Sequence, residues 1–379
     1  MKTIKPMMWR SAMLALSGLC GLNLALSSVA QAHHSSAPHF DLSKTIAVTG
    51  VVNKFEFVNP HAYVYFINSD DSGKQVQWRC ELSAKAFLVR MGWTQDTFKV
   101  GEKITFKGSP ARREDNVCVL DSFVRADGAQ ISTRAMIAGQ HDQPTATANS
   151  NTVAARSTTS AENLSGYWVA QSEGPGGGMG AGMGVGMSGG SREVGGASMP
   201  VPSAAGRKAA QNYDQRFDDP AIKCSAGNII FGWIHDQNIN AIEQSTNNIT
   251  LKYGYMDLVR TIHLDQQQHP SKITPSVAGH SIGHWETDNG AKVLVVDTTG
   301  FKAGVIFPLG TGILHSDQLH IVERFTVSND GKTLTREYQV EDPLYLQSAY
   351  SGGDVMSRSQ QPYTPYNCVE LSGKNNQRS

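Results

Sequence analysis

Between Val51 and Phe57 the chain alternates, with Val51, Asn53, Phe55 and Phe57 on one face and Lys54 and Glu56 on the other. A period of two predicts a half-buried strand. Asn59-Pro60 breaks it, and a second alternation follows, Ala62, Val64 and Phe66 against His61, Tyr63 and Tyr65. The turn-forming run Ser69 to Lys74 leads into a third, in which Val76, Trp78, Cys80 and Leu82 oppose Gln75, Gln77, Arg79 and Glu81. Ser83 opens a short helical run that Gly92 ends. Ile104 and Phe106 mark a fourth strand, and Val117 to Val124 a fifth, ending at Asp127-Gly128. Three strands, a helix and two strands is the order of an OB-like five-stranded Greek-key barrel. A generic small β-barrel is the alternative.

The second half predicts hairpins. "LSGYWVAQ" reads as a strand, and Ile249, Leu251 and Tyr253 alternate with Thr250 and Lys252. Two apolar runs flank Asn289-Gly290, and two more flank Asp330-Gly331, both hairpin signals. The second register sets Arg324 opposite Glu337 and puts Leu319, Ile321 and Phe325 on a face with Leu334, Tyr338 and Val340. Consecutive hairpins predict an antiparallel meander, closed as a barrel or packed as a sandwich, so the fold class is mainly β. Between the halves, Ala138 to Glu162 lacks periodicity and reads as a flexible linker. The run "GPGGGMGAGMGVGMSGGSREVGG" is too glycine-dense to pack a core and reads as a disordered insertion.

The ends add a compartment. Lys2, Lys5 and Arg10, the apolar run Ala12 to Leu26 and Ala30-Gln31-Ala32 predict a signal peptide cut after Ala32. Leu19 is too bulky for Cys20 to serve as a lipoprotein cysteine. The expected localisation is periplasmic or secreted. No later run is long and apolar enough to cross a membrane as a helix. The division is then residues 1–32 signal, 33–132 OB-like domain, 133–163 linker, 164–372 second domain with an insertion at 173–206, and a 373–379 tail. Removal of Lys2, Lys5 and Arg10 leaves 30 basic against 33 acidic residues, a balance unlike that of a nucleic-acid-binding protein. Four cysteines remain, Cys80, Cys118, Cys224 and Cys368. They allow three pairings; the domain division favours Cys80 with Cys118 and Cys224 with Cys368, in keeping with an oxidising compartment.

The phrases "HHSSAPHFD", "VTGVVNKFEFVNPHAYVYF" and "GWTQDTFKVGEKITFKGSPAR" resemble an exported bacterial domain family of unknown function, with its His-His-Ser start, Asn-Pro-His phrase and Gly-Trp before the fourth strand. The resemblance covers Ala32 to Gly128 and implies export and a small β domain, with no activity attached. The second half resembles another group of exported bacterial proteins, through Ser281 to Glu286, Leu294 to Thr298, Glu323 to Phe325, Glu341 to Pro343 and the "YNCVE" around Cys368. It departs at His284, where an Arg is expected, and in a longer turn from Thr287 to Lys292. Its outline is similar to that of calycin-like barrels, which implies an interior for a small apolar ligand, with Trp168 and Trp285 as candidate contacts.

Chemistry concentrates at the new terminus. After cleavage His33 carries a free α-amine (pKa about 7.7) beside its imidazole, and the two together chelate a metal. Nitrogen ligands suit copper, and Cu(II) accepts tetragonal geometry. This resembles the histidine brace of exported copper proteins, which implies a chelating role for His33, with His34 beside it and His61 or His39 as a further ligand. The contrasting reading is a frayed terminus with locally bonded histidines. Met179, Met183 and Met187 recur every four residues and add thioether sulfur, although glycine drift explains them as well. Glu286, Asp288, Asp297, Glu323, Glu341 and Asp342, with His280, His284 and His315, offer general acids and bases, but no catalytic motif frames them. The expected function is an exported, non-catalytic binding protein, with copper as the candidate cofactor and a small ligand for the second domain. A hydrolase-type enzyme built on the second domain's carboxylates and histidines, or a structural envelope protein, are the alternatives.

Overall fold

The computed structural model describes residues 36–69, 72–133, 162–171, 200–235, 238–308 and 310–370. The expected signal peptide, His33, His34, Met179, Met183, Met187, and most of the expected linker, insertion and tail lie outside these residues.

The first barrel follows the expected order. β1 (Ile46–Glu56) pairs with β2 (Tyr63–Ser69), and β2 with β3 (Gln75–Glu81), all antiparallel. α1 (Lys85–Arg90) follows, then β4 (Lys103–Pro110), which pairs with β1 on its other edge, and β5 (Val117–Val124). A parallel pairing of β3 with β5 closes five strands in the OB order β1-β2-β3-β5-β4. Cys80 and Cys118 are direct partners in that seam, 4.5 Å apart at Cα, and form a disulfide, so the barrel's parallel pairing is the one covalently tied. A short β6 (Gln130–Ser132), which the pattern did not predict, extends β5. The core is aromatic: Phe66 stacks on Phe106 at 4.0 Å, and Trp93 sets its edge to Phe98 and Phe123. The tryptophan of the Gly-Trp phrase is therefore a core plug. Gly108, opposite the bulge that Asp121 makes in β5, lies so close to that strand that a Cβ there would meet the Val119 carbonyl at 2.1 Å.

The second barrel has nine strands: β7 (Gly166–Ala170), β8 (Asn240–Gln244), β9 (Asn248–Lys252), β10 (Val259–His263), β11 (His280–Asp288), β12 (Ala291–Thr299), β15 (His320–Val327), β16 (Thr333–Glu341) and β17 (Tyr350–Arg358). A ribbon of β13 (Gly304–Phe307) and β14 (Ile313–His315) interrupts the meander. Strict up-and-down alternation cannot close an odd number of strands without one parallel seam. That seam is β10–β11. Parallel neighbours cannot be joined by a tight hairpin, so the chain takes a long connection from Leu264 to Gly279 before β11 starts. Asn289 and Gly290 turn β11 into β12 with φ of 50° and 81°, as the hairpin signal predicted. The Arg324–Glu337 register is present, and Leu319, Ile321, Phe325, Leu334, Tyr338 and Val340 are all buried. The insertion is shorter than expected at its far end. Ser203 caps α2 (Ala204–Ala209), accepting from the Gly206 N–H, so residues 204–206 are helical. Further brief helical turns follow, among them α3 (Gln215–Asp218) and α4 (Phe231–Ile234); α4 is buried among the strands.

Four charges lie inside this barrel. On β16, Arg336 donates to Asp354 of β17 at 2.5 and 3.1 Å, to Glu323 of β15 at 3.3 Å, and to the carbonyls of Ile229 and Ile230 just before α4 at 3.1 and 3.2 Å. On β10, Arg260 reaches Glu323 at 2.5 Å, Ser281 of β11 at 2.9 Å and Thr298 of β12 at 2.7 Å. The belt crosses six consecutive strands, including the parallel seam, and balances two positive against two negative groups. Burial works against the charge of Arg336, but Asp354 and Glu323 outweigh it and its pKa is raised.

Two predictions follow from this packing. Asp354→Ala leaves the Arg336 guanidinium without its closest partner and lowers stability by about 3–5 kcal/mol, read from urea unfolding. His315 is buried in the ribbon, its Nδ1 donating to the Ser316 carbonyl at 2.9 Å, and burial lowers its pKa despite the nearby Asp342. A histidine held below its unfolded value binds its proton more readily unfolded. It therefore costs stability as pH falls below about 6.5. The urea midpoint should drop between pH 7.5 and 5.5, and drop less in His315→Gln.

Candidate metal centre

The arm preceding β1 is fastened to the first barrel. Phe40 is buried and bridges to Ala111. Asp41 N–H donates to the Pro110 carbonyl at 2.9 Å, and Arg112 donates from its backbone to the His39 carbonyl at 2.8 Å and from Nε to the Ala37 carbonyl at 2.9 Å. This fixes His39 beside the β2–β3 face. Its electrostatic neighbours are Glu81, Arg113, His61 and Arg216. Burial is the main cause of its lowered pKa; Glu81 opposes the shift, and Arg113, His61 and Arg216 add to it. The neutral imidazole, the form that ligates metals, is thereby favoured.

His61 comes from the loop between β1 and β2. Asn59-Pro60 is a cis peptide bond, and the Asn59 side chain is buried. That side chain accepts from the Ala86 N–H at 2.9 Å and donates to the Tyr366 carbonyl at 2.5 Å, while its own carbonyl accepts from Val369 N–H at 2.7 Å. The Asn-Pro-His phrase thus docks the segment around Tyr366 and Cys368 onto the first barrel and sets His61 just before β2. Its Nδ1 lies 3.2 Å from Glu81 Oε1 and 3.3 Å from the Leu82 carbonyl. Tyr63 donates to Glu81 Oε2 at 3.5 Å, and burial, then the Glu81 charge, push its pKa well up. The second barrel supplies Arg216, which shares the ring of Phe217 with Arg113 at 5.0 and 5.1 Å. The group therefore lies where the two barrels meet.

Glu81, which sequence reasoning had placed only as a polar strand residue, lies beside His61, and His39 is within electrostatic reach of both. His33 and His34 lie outside the described residues. Among the described residues, no group of three or more His, Cys, Asp or Glu is arranged to hold a metal ion.

Both candidate tryptophans sit in the second barrel. Trp168 is fully buried, its Nε1 donates to the Leu164 carbonyl at 2.9 Å, and the Arg358 guanidinium covers its ring at 4.3 Å. Trp285 is half-buried against the same core. Several candidate acids hold structure. Glu323 belongs to the buried belt, Asp342 accepts from the backbones of Ser316, Leu344 and Tyr345, and Glu286 accepts from Arg324 at 3.1 Å, with Asp288 3.6 Å from the same guanidinium. His284 contacts Glu286 at 3.0 Å. Cys224 pairs with Cys368, 5.6 Å apart at Cα, as expected, and anchors the segment that Asn59 holds. No described helix is long and apolar enough to cross a membrane.

Residues 22–119 match a family of unknown function (DUF6152). No curated protein and no solved structure matches the chain. The matched segment contains His33, His34, His39, His61 and Glu81, so the likeness covers the candidate centre and stops before the second barrel.

The docking role of Asn59 is testable. Asn59→Ala removes the acceptor of the Ala86 N–H and a donor to the Tyr366 carbonyl; a buried polar group left unpaired costs about 1–3 kcal/mol. Unfolding should shift down by about 2 kcal/mol or more, and limited proteolysis should cut near Tyr366 sooner than in the parent protein.

Proposed function

We propose that this protein is an exported metal-binding protein whose processed terminus, His33, holds copper together with His61 or His39. One observation carries the reading: the anchored arm sets His39 within the field of His61 and Glu81, with burial favouring the neutral imidazole. From His39 back to His33 is six residues, which can span about 20 Å when extended, so the free amine has reach to the same face. Glu81 beside His61 Nδ1 matches the carboxylate that commonly orients a ligating histidine. Two disulfides in the places expected for an oxidising compartment support export. The second barrel serves this reading as a partner wall, contributing Arg216 to the centre. The small-ligand role expected for it is supported less, because Trp168 is sealed inside the fold.

Protein secreted from its own signal peptide should begin at His33 by N-terminal sequencing and bind one Cu(II) with an axial, nitrogen-rich EPR spectrum. His33→Ala, or one alanine placed ahead of His33, should weaken Cu(II) at least tenfold by competitive titration. Unchanged affinity in both would remove the terminal histidine from the site.

A further inference from the structure

The outer face of the second barrel carries another group of imidazoles, remote in sequence from the family match. His263 ends β10, His280 begins β11, Asp297 lies near the end of β12 and His320 begins β15, so four neighbouring strands each place one member at the same rim. His269 arrives from the long connection that the parallel seam requires. Its Nε2 lies 3.0 Å from Asp297 Oδ1, and His320 Nε2 lies 3.1 Å from the same oxygen. A carboxylate only accepts, so both Nε2 atoms carry hydrogen. A neutral His269 then has its lone pair at Nδ1, which lies 2.8 Å from His280 Nδ1. For that contact to hold, His280 Nδ1 is the donor. The His263 ring stacks on His280 at 5.0 Å and 17°.

This is the arrangement found behind metal-ligating histidines, in which one ring nitrogen donates to a carboxylate and the other faces the ion. The spacing is that of an N–H···N hydrogen bond. Two nitrogens on a tetrahedral ion, each at about 2.0–2.1 Å, stand about 3.3–3.4 Å apart, so the rings part by about half an ångström to take one. The group is open to solvent, with Asp297 and His320 side chains 44% and 38% exposed, so an ion has access. Burial, then the neighbouring His269 and His263, lowers the His280 pKa and favours its neutral form near pH 7.

We propose that His269 and His280 form a second metal site, for a borderline divalent ion such as Zn(II), in which the hydrogen between their Nδ1 atoms leaves and the rings turn so that both Nδ1 lone pairs meet the ion off the line that joined them. That hydrogen passes through water to His280 Nε2, so binding to the neutral pair releases no net proton. Asp297, itself steadied by His320, orients His269. Only two nitrogens converge in the metal-free arrangement, in line with the lack of any described three-ligand group; His263, turning out of its stack, and water complete the coordination. The proposal stands independently of the N-terminal centre.

The test is a Zn(II) titration by calorimetry at pH 7.5, in a His33→Ala background so that the terminal histidine does not contribute, with Co(II) absorption as a second readout. One equivalent should bind. His269→Ala and His280→Ala should each weaken it at least tenfold and remove the Co(II) visible bands. Asp297→Asn should weaken it by about 10–100-fold, the range for losing a carboxylate behind a ligand. All three lie at the rim, and matching thermal melts in the absence of metal verify that each variant is folded. Zn(II) affinity and stoichiometry unchanged by His269→Ala and His280→Ala would overturn the proposal, whatever happens to copper at His33.

Discussion

An arginine enclosed in a β-barrel has to meet its counter-charge before anything around it can pack. Here two arginines and two carboxylates meet across six strands, and the belt they form sets the register of β10, β11, β12, β15, β16 and β17 together. Removing both members of such a pair with matched apolar groups is often tolerated, whereas removing one is not. The belt therefore acts more as a specification than as a source of net stability. It also explains why α4 is where it is: Arg336 accepts no alternative to the Ile229 and Ile230 carbonyls once its other donors are taken by Asp354 and Glu323.

The two barrels divide the work differently. The first is small, aromatic and closed by a disulfide at its parallel seam. The second is larger and closed by polar groups at its own. They meet through Asn59, whose single side chain serves the start of α1 and the segment held by Cys368. His61 and Glu81 sit beside that junction, so their surroundings depend on both barrels being folded.

Much of this was legible in the chain. The five-strand order, both hairpin tips and both disulfides follow from alternation, turn residues and domain division. The belt leaves a trace in the sequence. The apolar rows Leu319, Ile321, Phe325 and Leu334, Tyr338, Val340 each skip one inward position, Glu323 and Arg336, and these are the buried pair. A charge in such a gap reads as solvent-facing unless its strand partner fills the matching gap. β6 was invisible because three residues show no period. Glu81 looked like any outward residue of β3, since the arm that brings His39 to it is joined only in three dimensions. The imidazole group at the rim of the second barrel was illegible for the same reason. Its members come from four strands and a connection, and only strand order makes them neighbours.

The pairing of β7 with β17 carries a consequence for biogenesis. The second barrel's opening strand has its final neighbour almost two hundred residues downstream, and loop closure over such distances slows folding. As synthesis proceeds, the small leading barrel can complete itself early, while β7 waits with an unsatisfied edge until the far end of the polypeptide emerges. A waiting edge is an invitation to mispair. Cells that make this protein must shield that strand or deliver the chain's end quickly, and truncations a few residues short of β17 should be cleared as aggregates rather than persist as open barrels.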